Sequence, residues 1–418
     1  MSPCPIVVKK YGGTSVGSVE RIKKVASDLA KDYEKGIKQV VVVSAMGKTT
    51  DQLIAMARQI TDRPSPRELD MLLTTGEQVS IALLAMAVHH LGCKAVSMTG
   101  AQCGILTDNS FSHARIKAIK TEKIRQQLDE GSIVIVAGFQ GITSDAQITT
   151  LGRGGSDTTA TALAAALQVP CCIYTDVNGV YTADPNIVPE ARLLRYISYE
   201  EMLEYAASGS KVLHPRCTEI ANNYNVLLEV RSSFCDLSGT RIVKEDKLEK
   251  VVVTGVTGDA KIGRIALTRV RDVPGVAARI SQALADAGIC IRLIIQGITH
   301  DNSNDVSLIV AEDNVFEAGE ILKHVMGQVG ATGVQIDPDV ATVSIIGSGV
   351  ASTPGVAARM FRALADQNIN IELISTSEVR ITCIIRKEHL QTAVRAIHRE
   401  FDLANLERRE INAVSSEP

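Results

Sequence analysis

Between residue 5 and about residue 243, short apolar runs rich in β-branched residues alternate with longer amphipathic stretches. The apolar runs are "PIVVKKYGG", "KQVVVVSAMG", "GSIVIVAGFQG" and "CCIYTDVNGV". The spacing predicts helices over 18–35, 51–61, 76–91, 113–129 and 157–167. Strands that are apolar along their whole length are buried on both faces, so the pattern predicts a mostly parallel sheet covered by helices on each side. Several of these strands run into turns rich in Gly, Ser and Thr. Ligands of such sheets gather beyond the carboxyl ends of the strands.

The pattern changes near 236–250, where "DLSGTRIVKEDKLEK" reads as a turn and a charged boundary. Beyond it the chain repeats itself. "DVPGVAARISQALADAGICI" from Asp272 and "STPGVAARMFRALADQNINI" from Ser352 are offset by 80 residues and share 12 of 20 positions. Asp272 and Ser352 are capping candidates, and Pro274 and Pro354 suit a first helical turn. Val276, Ile280 and Leu284 share a helix face, as do Val356, Met360 and Leu364. Gly288 and Asn368 suit left-handed C-caps. Strands precede each helix ("RIALTRV", "TVSIIGSG") and follow it ("ICIRLIIQ", "INIELIST"), which predicts a small α+β module used twice.

Composition narrows the function. Of 418 residues 45% are apolar but only 3% aromatic, with no tryptophan, so small aliphatics fill the cores. Net charge is −3 and no basic block occurs, which excludes the usual footprint of nucleic-acid binding. No apolar run is long enough to span a bilayer, and the start of the chain does not read as a secretion signal. Nine cysteines at irregular spacing, without CxxC, predict free thiols and a reducing, cytoplasmic setting.

Six stretches hold candidate chemistry. "KKYGGTSVGS" (9–18) is a strand running into glycines whose amides suit phosphate oxygens, with Lys10 just before them. It is neither a Walker A loop nor GxGxxG. "SAMGKTTD" (44–51) is a second strand-end turn, in which Thr49 and Thr50 also suit helix capping. Thr74 and Glu77 have the spacing of a capping box; the other reading of Glu77 is a carboxylate in a pocket wall that grips an ammonium group. In "LGRGGSDTTA", Arg153 suits a carboxylate, Gly154 and Gly155 admit close approach, Ser156 suits a cap, and Asp157 falls in the first helical turn. "YTDVNGVYTADP" (174–185) holds a tight-turn signal at Asn178-Gly179 among polar residues. "SGSKVLHPR" (208–216) contributes Lys211 and His214, the latter read as structural. No set of residues has metal-ligand spacing.

Together these motifs, in this order, resemble the aspartate kinase family, and the resemblance covers nearly the whole chain. It implies an amino-acid-kinase αβα sandwich over 1–243, followed by two ferredoxin-like βαββαβ ACT modules, one over 263–340 and one formed by 251–262 plus 341–418. It implies MgATP-dependent phosphorylation of the β-carboxylate of L-aspartate on the route to lysine, threonine and methionine. The implied roles are Lys10 and Asp157 at the reacting phosphoryl group, with Asp157 orienting rather than taking a proton. Thr50, Glu77, Arg153 and Ser156 would hold aspartate, with Ser44 a weaker contact. Lys10, Tyr11, Gly12, Gly13, Thr175, Asp176, Tyr181, Asp184, Asn186 and Lys211 would hold ATP, Asn186 standing where relatives often have arginine. Feedback by lysine, threonine or both would act at Asp272, Gln296, Ser352, Val356 and Asn370, in a homodimer or dimer of dimers. Cys290 and Arg292 stand where relatives often carry Asn and an acid. A catalytically dead amino-acid sensor is the alternative from another class.

Overall fold

The computed structural model describes residues 5–210, 212–244, 252–298 and 303–405. It divides into two compact units, the first formed by Met1–Val180, Leu193–Ala206 and Lys211–Lys247, the second by Tyr181–Arg192, Ala207–Ser210 and Leu248–Pro418.

The first unit is built on an eight-stranded sheet. Its order is Tyr196–Ser198, Thr240–Val243, Leu228–Ser232, Cys171–Thr175, Ile6–Tyr11, Lys38–Val43, Ile133–Ala137 and Ala95–Met98. All neighbours are parallel except Leu228–Ser232 with Thr240–Val243. The predicted strands therefore form the sheet's centre. Side chains alternate across Ile6–Tyr11. Tyr11 joins a core shared with helices Val19–Glu34 and Pro66–His90, containing Ile22, Leu29, Val41, Val43, Leu84 and Ile135. Lys9 lies on that face too, buried against Asp32 and Gln39. Lys10 points the other way, toward helix Gly155–Leu167. That helix packs against Ile6–Tyr11 and helix Pro215–Tyr224, and its Ala and Thr side chains are short enough for close approach.

Helix Val19–Glu34 begins where Ser18 accepts from the Arg21 amide and buries Ile22, Val25, Ala26, Leu29 and Ala30 at three- and four-residue spacing. Other predicted elements differ. The helix expected over 76–91 starts at Pro66, a proline in the first turn. Thr74 is therefore mid-helix, its hydroxyl on the Met71 carbonyl, and there is no capping box at Glu77. The helix expected over 113–129 is a strand, Ile116–Ile119, then a helix, Glu122–Asp129; pairing with Ile105–Thr107 outweighs the helical pattern. Helix Pro66–His90 is also long and apolar enough to cross a membrane by length and composition, which the sequence missed because Asp70, Thr74, Glu77 and Ser80 interrupt its apolar runs. Those four side chains are buried in the first unit, as in the core helix of a globular unit.

The second unit holds two antiparallel four-stranded sheets. One has the order Leu293–Ile298, Ser303–Ala311, Ile262–Arg271, Gly333–Asp337, the other Gly255–Asp259, Val340–Ile346, Arg380–Arg386, Leu373–Thr376. Helices Val276–Asp286 and Val315–Val329 cover the first sheet over a core containing Ile265, Leu267, Leu308 and Leu322. Helices Val356–Ala365 and Leu390–Glu400 bury Val356, Met360, Leu364, Val394 and Ile397. Ile262 and Ile309 of one sheet meet Val340 and Ile384 of the other. Beside this contact, Arg264 and Arg386 each bridge Asp337 and Glu372, at 2.6–3.1 Å, in a closed ring of four charges. The capping of the repeat differs from the sequence pattern. Gly275 and Gly355, both left-handed, are the N-caps, so Asp272, Ser352 and the two prolines precede the helices. Gly288 and Asn368 do take left-handed backbone just past the helix ends.

Candidate active site

Two strand-end turns press together at the carboxyl edge of the central strands. After Ile6–Tyr11 the Gly12 amide donates to the Tyr174 carbonyl (3.3 Å), and the Ser15 and Val16 amides return to the Gly12 carbonyl. The Gly47 amide donates to the Gly13 carbonyl at 3.0 Å. A Cβ on Gly13 would lie 2.8 Å from the Ala45 carbonyl oxygen, so only glycine permits this approach. Lys10 Nζ stands 2.6 Å from Asp157 Oδ1 in the first turn of Gly155–Leu167. Tyr11 is different: its ring is buried and stacked on Tyr174, centroids 4.7 Å apart, so it is a core side chain and not an exposed nucleotide contact.

Glu77 approaches the second turn from helix Pro66–His90. Gly76 lets that helix close on Ala45, where a Cβ would come within 2.9 Å of the Ala45 methyl. The Ala45 amide then donates to Glu77 Oε1 at 3.2 Å, while Oε2 is buried with no hydrogen-bond partner. Burial pushes the Glu77 carboxyl up to about 7. A buried oxygen with an unfilled acceptor calls for a donor, and an ammonium group supplies one with the matching charge. Thr50 lies half-buried in the helix Thr49–Ile60 that follows this turn.

The "RGGSD" loop forms a further wall. Gly152 and Gly154 both have positive φ, 78° and 68°. A Cβ on Gly154 would run into the His214 ring. His214 caps helix Pro215–Tyr224 through Nδ1, and burial lowers its basicity. Gly154 is itself the cap of the next helix, which places Ser156 inside the first turn rather than at the cap. Ser156 is buried against Gly138. Arg153 is exposed and forms no ion pair with a described residue.

The remaining candidates divide between the two units. Thr175 donates to Asp176 at 3.1 Å, in the first unit. Tyr181, Asp184 and Asn186 belong to the second unit, where Asp184 accepts from the amide and side chain of Asn186. Lys211 lies outside the described residues. Asp272, Gln296, Ser352 and Asn370 are exposed in the second unit, Gln296 on the edge strand Leu293–Ile298. Val356 is a core side chain, which removes it as a side-chain contact for an effector. Sequence reasoning missed Ser233, whose hydroxyl accepts from Ser15 (2.9 Å) and donates to the Thr175 carbonyl (3.1 Å), and Arg21, which donates to the Thr14 carbonyl. It also missed Arg216, which donates to the carbonyls of Leu151 and Ala114. Arg216 closes the "SGSKVLHPR" stretch, but no local motif marks Ser233 or Arg21.

The amino acid kinase family model matches residues 5–232, and ACT domain models match 264–325 and 343–401. An aspartokinase from Thermus thermophilus is 51% identical over 402 residues, which are 95% of this chain and 99% of that protein. The chain belongs to the aspartokinase family. An aspartokinase from Geobacillus stearothermophilus is 50% identical over 96% of this chain and 98% of its own length. Among solved structures, aspartate kinase from Synechocystis is 44% identical with a TM-score of 0.54, covering 95% of this chain and 69% of that one. Escherichia coli aspartokinase III in complex with aspartate and ADP shares the fold, with a TM-score of 0.81 at 24% identity over 94% of this chain and 99% of that one. This aspartokinase is thus a phosphotransferase that uses ATP and carries regulatory ACT domains.

Proposed function

We propose that this aspartokinase transfers the γ-phosphoryl group of MgATP to the β-carboxylate of L-aspartate, giving 4-phospho-L-aspartate for lysine, threonine and methionine synthesis. The observation that carries the reading is Glu77, whose buried, unpaired Oε2 suits the substrate's ammonium. Arg153 supplies the guanidinium for a substrate carboxylate, and Thr50 and Ser156 add hydroxyls. A β-carboxylate has a reference pKa of about 3.9 and is already ionised at neutral pH, so it attacks without a general base. Asp157 holds Lys10, whose ammonium meets charge on the transferring group. Catalysis is then positioning and charge neutralisation. The amides of Gly12 and Gly13, with Thr175, Asp176, Tyr181, Asp184, Asn186 and Lys211, serve the nucleotide, and Mg²⁺ enters with it as substrate.

In this reading the catalytic domain spans 1–243, one ACT module 263–340, and the other 251–262 plus 341–418. The pairing of Gly255–Asp259 with Val340–Ile346 supports the last assignment. Lysine, threonine or both act at the ACT modules near Asp272, Gln296, Ser352 and Asn370. The strand Leu293–Ile298, which has one neighbouring strand among the described residues, supports a homodimer or dimer of dimers. The eight cysteines among the described residues are free, in keeping with a cytoplasmic setting. ADP release with ATP, Mg²⁺ and aspartate, with lysine and threonine alone and together, tests the reading. Turnover suppressed by either supports both halves. Turnover indifferent to both removes the feedback assignment, and no turnover from folded protein that binds lysine or threonine favours a sensor.

A further inference from the structure

Asp70 lies seven residues before Glu77 on helix Pro66–His90, two turns away on the same stripe and about 10 Å along the axis. It is fully buried. The Ser112 amide donates to both of its oxygens, at 3.1 and 2.9 Å, and the Ser112 hydroxyl to Oδ1 at 3.3 Å. The Thr150 amide donates to Oδ2 at 2.9 Å and the Thr150 hydroxyl to Oδ1 at 2.7 Å. Every one of these partners is a donor. A carboxylate accepts at both oxygens, whereas an asparagine in the same place would turn its own N–H₂ toward one pair of donors.

Thr150 ends the strand Ile148–Thr150, and only Leu151 and Gly152 separate it from Arg153. Ser112 forms the other side of the same turn. It holds a positive φ of 67°, and its carbonyl and the His113 ring lie against Gly152, where a Cβ would come within 2.9 and 2.8 Å of them. The Ala114 amide donates to the Thr150 carbonyl at 2.9 Å. Asp70 therefore ties the helix that presents Glu77 to both walls of the loop that presents Arg153. Arg216 steadies the far side of that loop through Leu151 and Ala114.

An α-amino acid has its ammonium and carboxylate at a separation set by its covalent structure. Two side chains that grip both groups need a matching separation, and here they stand on different elements. We propose that Asp70 is the positioning residue that sets the Glu77–Arg153 spacing, and so the recognition of the amino-acid substrate. In this role it acts through the elements that carry Glu77 and Arg153 rather than by direct contact with a ligand. The inference rests on the reading of Glu77 and Arg153 as substrate contacts.

The test is steady-state kinetics on the full chain for Asp70→Asn, Thr150→Val, Arg153→Ala and the Asp70→Asn/Arg153→Ala pair, with thermal melting of each. Thr150→Val removes one hydroxyl contact and keeps the amide, so it probes the same link if Asp70→Asn fails to fold. The expected result is a KM for aspartate raised about ten- to hundredfold in Asp70→Asn and less in Thr150→Val, with KM for ATP within about twofold. In the Arg153→Ala background Asp70→Asn adds little to KM for aspartate. A folded Asp70→Asn or Thr150→Val with unchanged KM for aspartate, or with both KM values moved alike, overturns the positioning role while Arg153→Ala still raises KM. If Arg153→Ala leaves KM for aspartate unchanged, the substrate-clamp reading fails and takes this inference with it.

Discussion

Lys10 Nζ and Asp157 Oδ1 lie 2.6 Å apart, with both side chains almost closed off from solvent. The pair joins the end of a central strand to the first turn of a helix 147 positions later. Neither group is free to wander, so the ammonium is aimed before any ligand arrives. Substituting Lys10→Met removes a preorganised charge and is expected to lower kcat about 10²- to 10³-fold. Asp157→Asn keeps the shape and weakens the aim, so its loss is smaller. Single-turnover ADP formation checks both; equal losses in the two variants would show that Asp157 does more than orient Lys10.

Glu77 sets a pH dependence. Its carboxyl titrates near 7 instead of the usual 4.5 because it is buried. Between those values the folded chain holds a proton that the unfolded chain has released, so stability falls as pH rises through that window and levels off above it. The full effect is roughly 3 kcal/mol. Without ligand, Glu77→Gln flattens this slope, as chemical denaturation between pH 5 and 8 would show. A substrate ammonium favours the ionised form, so aspartate binding near pH 6.5 releases a proton. KM for aspartate accordingly falls as pH rises toward neutrality and above.

Gly154 combines a left-handed backbone with contact against His214. Gly154→Ala costs about 1–2 kcal/mol in backbone strain alone, plus displacement of the ring. Lower thermal stability and a raised KM for aspartate are expected. His214→Gly in the same chain also removes the His214 Cβ, 2.3 Å from where the new methyl would sit, and so relieves the clash but not the strain. Partial recovery of KM in that double variant separates the two causes.

The ring of Arg264, Asp337, Glu372 and Arg386 is expected to hold two sheets of the second unit in register. Removing one member leaves its partners short of a charge in a half-buried place. Glu372→Gln is expected to lower protection by about 1–3 kcal/mol. Amide hydrogen exchange in Ile262–Arg271 and Leu373–Thr376 reads this locally, and unchanged protection would reduce the ring to a surface ornament.

The central strands were legible because runs such as "KQVVVVSAMG" and "GSIVIVAGFQG" are apolar on both faces, which few other structures tolerate. The loops at the carboxyl edge of the sheet stood out because glycine pairs follow Lys10 and Arg153 closely. Less legible was anything decided across the fold. "RIKAIK" looks helical beside "TEKIRQQLDE", yet pairing with a distant strand makes it extended. Asp272 and Pro274 look like a helix start, yet a left-handed Gly275 takes the cap. Tyr11 shares a motif with Lys10, but alternation along the strand turns it into the core. Asp70 reaches partners 42 and 80 positions away, and Ser233 meets Ser15 across 218. Such pairs leave no local spacing to find.

The second unit claims Tyr181–Arg192 from the middle of the chain. The Thr182 carbonyl accepts from the Val256 amide, its hydroxyl meets His398, and Arg395 and Arg192 donate to the carbonyls of Ile187 and Ala404. Covalent order and mechanical order therefore disagree. A gene shortened after codon 243 would delete none of the motifs from "KKYGG" to "TADP". It would still strip the last of them of much of its scaffolding, taking Val256 and His398 away from Thr182, which is fully buried in the whole chain. Separating catalysis from regulation in this protein calls for point substitutions, because scissors cannot follow the seam.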